Sequence, residues 1–107
     1  MKVVVQVSEK EKIPQAIKSI INLLNDLGDE LEEVEVIFHQ SAITATTDEN
    51  SIKPLLGKEK VNVIACRNSL RAQGISEESL VKGVKIVNSG VGEIVRKQKE
   101  GWIYLRL

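Results

Sequence analysis

The sequence predicts an α/β fold, a single domain over residues 1–107 in which helices cover both faces of a parallel sheet. Five short runs of β-branched and other apolar residues are distributed along the chain. Most of them are apolar at successive positions, which is typical of strands buried on both faces. Segments with the apolar spacing of helices separate these runs. The 107 residues are the size of one domain with one hydrophobic core.

The apolar runs predict five strands, near residues 2–7, 33–39, 61–66, 84–88 and 102–106. A helix between each strand and the next makes neighbouring strands parallel, because a parallel pair needs a long crossover connection. We therefore expect at least four parallel strands in a three-layer architecture of about five strands. Right-handed crossovers then place helices on both faces of the sheet.

The clearest predicted helix follows the first strand. Apolar residues recur there at spacings of three and four (Ile13, Ile17, Ile20, Leu24 and Leu27). Pro14 suits the first turn of this helix and Gly28 suits its end. Shorter helical segments are predicted near residues 51–56, 69–73, 76–83 and 91–101.

Composition excludes several function classes. Fifteen basic residues balance fifteen acidic ones, so the chain lacks the charge that nucleic acids or anionic membrane surfaces attract. No apolar run is long enough for a membrane span or a signal peptide. The single cysteine cannot form an internal disulfide, which indicates a reducing compartment. We therefore expect a cytoplasmic protein without nucleic-acid or membrane partners.

The common cofactor motifs are absent. The chain has no Walker-type phosphate loop and no G-x-S-x-G nucleophile motif. The loop "SEKEKIP" after the first strand has no glycine, so the dinucleotide fingerprint is missing where it belongs. One His and one Cys make a zinc site within one subunit unfavourable. We expect neither a metal nor an organic cofactor.

Polar residues lie where the predicted strands end. His39 ends the second strand, Cys66 ends the third, and Arg67 and Asn68 open the next helix. Open α/β sheets bind ligands at the carboxyl ends of their strands, so these residues are candidates for a site. His39 is a candidate acid, base or ligand-orienting group, or alternatively a histidine that only bonds a nearby carbonyl.

The segment "NSGVGE" joins the fourth strand to the last helix and reaches the same edge of the sheet. Its Ser89, Gly90 and Gly92 are candidate binding residues, because backbone N–H groups at a helix start can hold an anion. Glycine at a tight strand-to-helix turn is equally required by steric constraints.

Cys66 allows two interpretations. A free thiol has a pKa of about 8.5, and a helix amino terminus or a nearby cation stabilises the thiolate. Cysteine is also among the most buried residue types, and often only packs as a small hydrophobic side chain. The residues alone leave both interpretations open. We expect Cys66 partly open to solvent, in a pocket shared with His39 or the 89–92 turn.

The segment from Val63 to Leu107, "VIACRNSLRAQGISEESLVKGVKIVNSGVGEIVRKQKEGWIYLRL", resembles the DsrE/DsrF-like family. The pattern comprises A-C-x-N-S/T-L, Q-G-I, V-x-x-S-G-V-G/A-E and R-x-Q-x-x-G-aromatic-x-Y. Earlier parts of the chain match more loosely, through a P-x-A-I/L helix and a strand that ends in His. Relatives commonly follow that His with Gly, whereas this chain reads "HQSA" from His39 to Ala42.

The resemblance implies a flavodoxin-like or Rossmann-like sheet, with strand order 2-1-3-4-5, in a homo-oligomer, either a trimer or a hexamer. It further implies a sulfur-relay protein, either a carrier or a sulfurtransferase, that holds a persulfide on Cys66, with sulfur donor and acceptor proteins as partners. His39 would then serve as a proton shuttle. Two alternatives remain open: a module that binds a small anion or nucleotide, and a structural subunit of an oligomer.

Overall fold

Five strands form one sheet in the structure, a computed structural model that describes residues 1–107. The strands are β1 (Lys2–Val7), β2 (Glu33–Phe38), β3 (Val61–Cys66), β4 (Lys85–Val87) and β5 (Ile103–Arg106). Every neighbouring pair is parallel. The predicted α/β class, strand positions and parallel pairing are confirmed.

The strand order differs from the expected 2-1-3-4-5: it is β4-β3-β2-β1-β5. The chain adds β2, β3 and β4 in turn to the same edge of the sheet. It then returns to the opposite edge, where β5 pairs with β1. The order that the resemblance implied was wrong, and the sequence pattern could not correct it, because helical spacing shows that a crossover exists but not the direction in which it runs.

The helices are α1 (Ile13–Leu27), α2 (Glu49–Ile52), α3 (Arg67–Ala72) and α4 (Gly90–Lys99). The segment 76–83, predicted as helical, contains only the 3-10 turn Glu77–Ser79, and a longer 3-10 segment, Gln40–Thr47, follows β2. None of the helices combines the length and hydrophobicity that spanning a membrane requires.

The two faces of the sheet carry separate cores. The larger core packs the strands against α1 and includes Val5, Val36 and Ile17. The smaller core lies under α4 and Trp102, which cover Ile37 and Ile64. Side chains alternate between the two faces along a strand, so a residue two positions after a member of the smaller core lies on the same face as that member. The face covered by α4 is called the α4 face below.

Candidate functional site

Cys66 and His39 lie side by side at the carboxyl edge of the sheet. Phe38 pairs with Ala65 in the register of β2 and β3, so His39 and Cys66 follow as neighbours on the two strands. Alternation from Ile37 puts His39 on the α4 face, and Cys66 follows Ile64 in the same way. The structure therefore brings together the two residues that sequence analysis selected as catalytic.

Gly90 closes the site from the side of α4. A Cβ placed on Gly90 would lie 3.1 Å from Cγ2 of Ile37, 3.2 Å from Cβ of His39 and 3.3 Å from Cβ of Cys66. A methyl group at this position would therefore press on all three side chains. Only glycine lets the first turn of α4 approach the sheet this closely.

The sulfur of Cys66 accepts a hydrogen bond from Gly90 and lies near further donors in the first turn of α3. The N–H of Gly90 donates to Sγ over 3.2 Å. Burial raises the pKa of the Cys66 thiol, but the donors around the sulfur, which are the Ser69 hydroxyl and the N–H groups of Gly90, Ser69 and Asn68, outweigh burial and lower the pKa below its usual value. The surroundings thus favour the thiolate, which is the nucleophilic form of cysteine.

The expectation that Cys66 is partly open to solvent was wrong. Its side chain is only 4% exposed, and it packs in a small cluster with Leu70, Ile43 and Ala65. Nor does the expected pocket form at this edge. The close approach of Gly90 on one side and the packing of Leu70 in α3 explain the burial.

His39 is 2% exposed and is held by a polar side chain of β1. Its Nε2 lies 2.9 Å from Nε2 of Gln6. Burial lowers the pKa of His39, and the positive charge of Arg106 lowers it further. Both effects favour the neutral ring.

Arg67 and Asn68, the predicted binding residues of α3, point their polar groups elsewhere. The guanidinium of Arg67 forms an ion pair with Glu77, with 2.7 Å between Nε and Oε2, and donates to Oδ1 of Asn88. Asn68 donates its backbone N–H to the carbonyl of Asn88, and its side chain is exposed. Arg67 therefore fastens the two loops that flank Cys66, and binding by its charge stays a prediction.

The 89–92 turn uses its polar groups internally. Ser89 caps α4, because its Oγ accepts the N–H of Gly92 over 3.0 Å. The N–H of Gly90 is directed at the sulfur of Cys66. These two N–H groups are bonded within the chain, so anion binding by Ser89, Gly90 and Gly92 stays a prediction.

The topology supports the location of the site. The chain leaves β3 towards α3, whose Leu70 packs with Ala65, and Ala65 lies on the face opposite α4. The chain leaves β4 towards α4, on the other face. Open α/β sheets place ligands at the carboxyl ends of adjacent strands whose connections leave to opposite faces. Cys66 ends β3 at this point.

Sequence analysis missed two residues that extend the site across the sheet. The hydroxyl of Tyr104 in β5 donates to Oε1 of Gln6, and Gln6 in turn contacts His39. The sequence feature that could have indicated Gln6 is its polar side chain inside the apolar run "KVVVQV". The strand order was also needed, because only the pairing of β5 with β1 brings Tyr104 near Gln6.

Sequence analysis also missed a charged cluster under α4. Glu35 is buried on the α4 face, and its Oε1 has no hydrogen-bond partner. Nζ of Lys97 lies 3.8 Å from Glu35 and 4.0 Å from Glu93. Burial, together with the neighbouring carboxylate of Glu93, raises the pKa of Glu35 to about 8. A glutamate within the apolar run "VEVIFH" was the available signal.

The sequence model of the DsrE/DsrF-like family matches residues 1–107, the whole chain. The chain belongs to the DsrE/DsrF-like family. This confirms the resemblance that the motifs from Val63 onwards indicated, and it extends it to the looser first half. Membership in the DsrE/DsrF-like family is consistent with a sulfur-relay role.

Solved structures share the DsrE-like fold of this chain. A protein of unknown function from Methanobacterium thermoautotrophicum, MTH1491, is 33% identical with a TM-score of 0.85, and the alignment covers 99% of this chain and 98% of that chain. The ychN protein from E. coli is 19% identical over 100% of both chains, with a TM-score of 0.78. BT1422 from Bacteroides thetaiotaomicron, a protein of unknown function, is 13% identical with a TM-score of 0.74 over 99% of this chain and 94% of that chain. No curated protein matches the chain.

Proposed function

We propose that this protein carries sulfur as a persulfide on Cys66 and passes it to the thiol of an acceptor protein. The observation that carries the proposal is the hydrogen bond from the N–H of Gly90 to Sγ, over 3.2 Å. A cysteine that only packs needs no donor directed at its sulfur. The lowered pKa of the Cys66 thiol and membership in the DsrE/DsrF-like family support the same role.

The chemistry needs no change in overall oxidation state. The Cys66 thiolate attacks the terminal sulfur of a persulfide donor, R–S–SH, so that a new S–S bond forms at Sγ and the donor's S–S bond breaks. The donor leaves as the thiolate R–S⁻, and the proton stays on the transferred sulfur. An acceptor thiolate then attacks that sulfur, and Cys66 leaves as a thiolate.

The site residues support both steps from fixed positions. The N–H of Gly90 and the hydroxyl of Ser69 stabilise negative charge on Sγ, before loading and again when Cys66 leaves. His39 lies beside Cys66 as a neutral polar group. Because the Cys66 side chain is only 4% exposed, we expect loading to be slower than that of an exposed thiol.

Intact-mass spectrometry after incubation with a persulfide donor tests the proposal. Cys66 is the only cysteine, so a mass gain of one sulfur atom that disappears on reduction reports on this residue alone. We expect the wild type to gain one sulfur and Cys66→Ser to gain none. A wild type that gains no sulfur while folded, or gains it only in denaturant, would contradict the proposal.

A matched control separates a tuned thiol from any thiol. Lys18 is exposed on α1, so the double variant with Cys66→Ser and Lys18→Cys carries one ordinary surface thiol. Below neutral pH an ordinary thiol is almost fully protonated. We expect the loading rate of Cys66 to fall at a lower pH than that of this control, and the same pH dependence in both proteins would show that the site adds nothing.

The oligomer and the location are further parts of this proposal. Four large apolar side chains stay exposed on α4 and on the edge strand β5 (Val91, Val95, Ile103 and Tyr104), and a homotrimer or hexamer would bury some of them. Light scattering at micromolar concentration tests this, since a mass of 11.9 kDa would identify a monomer. The unpaired cysteine supports a reducing compartment, for which the cytoplasm is our proposal.

A further inference from the structure

A row of polar side chains crosses three strands and ends beside Cys66. Tyr104 in β5 donates its hydroxyl proton to Oε1 of Gln6 in β1. Nε2 of Gln6 lies 2.9 Å from Nε2 of His39, which follows β2. His39 in turn neighbours Cys66 against the backbone of Gly90. Tyr104 is half-exposed, whereas His39 is almost fully buried, so the row leads from the sheet edge into the site.

The orientation of the Gln6 amide fixes the donors and acceptors in this row. Oε1 of Gln6 accepts the proton of Tyr104, so the atom of Gln6 that faces His39 is the amide nitrogen, which can only donate. Nε2 of His39 must therefore accept, and it carries no proton. A neutral imidazole has one proton, which must then lie on Nδ1.

We propose that Tyr104 and Gln6 are positioning residues that hold His39 as the neutral ring protonated on Nδ1. The protonation state follows from the row itself, and its use rests on the proposed sulfur transfer at Cys66. With Nε2 occupied by Gln6, His39 offers its surroundings a hydrogen-bond donor and no free acceptor. Nδ1–H is therefore the group with which His39 would stabilise negative charge at the site, and the ring does not act as a general base on the thiol.

Nitrogen NMR of the single histidine tests the assignment directly. The chain has one His, so a proton–nitrogen correlation spectrum of the ring shows one set of signals. At neutral pH we expect the spectrum of a ring that carries its proton on Nδ1 and has no proton on Nε2. The reverse arrangement, with the amide of Gln6 turned round, would give a ring protonated on Nε2, and that spectrum would overturn the proposal.

Two substitutions at Gln6 and one at Tyr104 should each change the tautomer of His39 in a different way. Gln6→Glu presents only acceptor oxygens, so it should move the proton of His39 to Nε2 and raise the pKa of His39. Gln6→Met keeps the bulk but removes the donor, so the ring should become a mixture of both tautomers. Tyr104→Phe frees the amide of Gln6 to turn and should weaken the preference. Unchanged tautomers in all three variants would overturn the proposal, and a purely structural role would not produce a reversal in Gln6→Glu.

Sulfur loading, measured by intact mass on the same proteins, separates this proposal from the proposed function. We expect Gln6→Glu to load Cys66 about tenfold more slowly, the factor expected for one hydrogen bond to a charged group. Loading at the wild-type rate despite a reversed tautomer would show that the positioning has no role in the transfer. If the tautomer is as proposed but the wild type never loads, the sulfur-carrier function fails while the positioning of His39 stands.

Discussion

Replacing Glu35 by Gln should stabilise the protein at alkaline pH and leave it unchanged at acidic pH. Glu35 is buried under α4 beside the carboxyl group of Glu93. Burial and the charge of Glu93 raise the pKa of Glu35 from 4.5 to about 8. A glutamine side chain at this position would mimic the protonated carboxyl group: it keeps a donor for Glu93 and has no proton to lose.

The sign of the pH dependence follows from the raised pKa. The folded state holds the Glu35 proton up to about pH 8, whereas the unfolded chain releases it near 4.5. The stability that the wild type has with Glu35 protonated is therefore fully present below about pH 4.5 and is lost as the pH rises towards 8. One pKa unit corresponds to about 1.4 kcal/mol, which sets an upper bound of about 5 kcal/mol. The pKa of about 8 already includes the attraction of Lys97, 3.8 Å from Glu35, so we expect a loss of about 4 kcal/mol near pH 8.

Urea denaturation of the wild type and of Glu35→Gln across the pH range measures this difference. We expect nearly equal stability near pH 4, and a variant that is about 4 kcal/mol more stable near pH 8. Glu100→Gln is the matched control, because exposed Glu100 contacts the same lysine, with 3.7 Å between Oε1 and Nζ. A difference between wild type and Glu35→Gln that stays constant with pH, or a control that behaves like Glu35→Gln, would refute the reasoning.

Four further substitutions test the packing at Gly90, the donor at Ser69 and the backbone strain at Gln40. Gly90→Ala should lower the free energy of unfolding by about 1–3 kcal/mol in urea denaturation, because the new Cβ would lie 3.1–3.3 Å from three side chains. Gly92→Ala is the control and should lower it less, because its nearest contacts are at 3.4 Å. Equal losses in the two variants would contradict the close packing at Gly90. Ser69→Ala should raise the apparent pKa of Cys66 in thiol titration, because a hydroxyl donor is lost, and an unchanged pKa would remove Ser69 from the site. Gln40 has a φ of 51°, which strains a residue with a side chain, and only its backbone N–H and carbonyl form hydrogen bonds. Gln40→Gly should therefore raise the free energy of unfolding by about 0.5–1 kcal/mol. A loss of stability would contradict the strain at this position.

Local patterns in the sequence were sufficient for the elements of the fold and for the two central residues of the site. Continuous apolar runs identify strands buried on both faces, and a polar residue at the end of such a run marks the carboxyl edge, as with His39 and Cys66. The strand order depends on the direction of each crossover, which no local pattern records.

The burial of Cys66 was not predictable from the same patterns. It depends on how closely α4 approaches the sheet, and that distance results from tertiary packing at Gly90. The link from Tyr104 to Gln6 joins residues 98 positions apart, so it became visible only once β5 was known to pair with β1. Glu35 was visible as a charge in an apolar strand, but its partners Glu93 and Lys97 come from a distant helix.

The pH dependence of the reaction between Cys66 and a small thiol-reactive probe tests the central claim most directly. The chain has a single cysteine, so the rate of its modification in the folded protein reports the ionisation of one sulfur. The hydrogen bonds from Gly90 and Ser69 predict an apparent pKa below the usual value of about 8.5, and a rise of that pKa in Ser69→Ala. An apparent pKa at or above about 8.5, or no reaction until the protein is unfolded, would show that Cys66 is a packing residue and not a sulfur carrier.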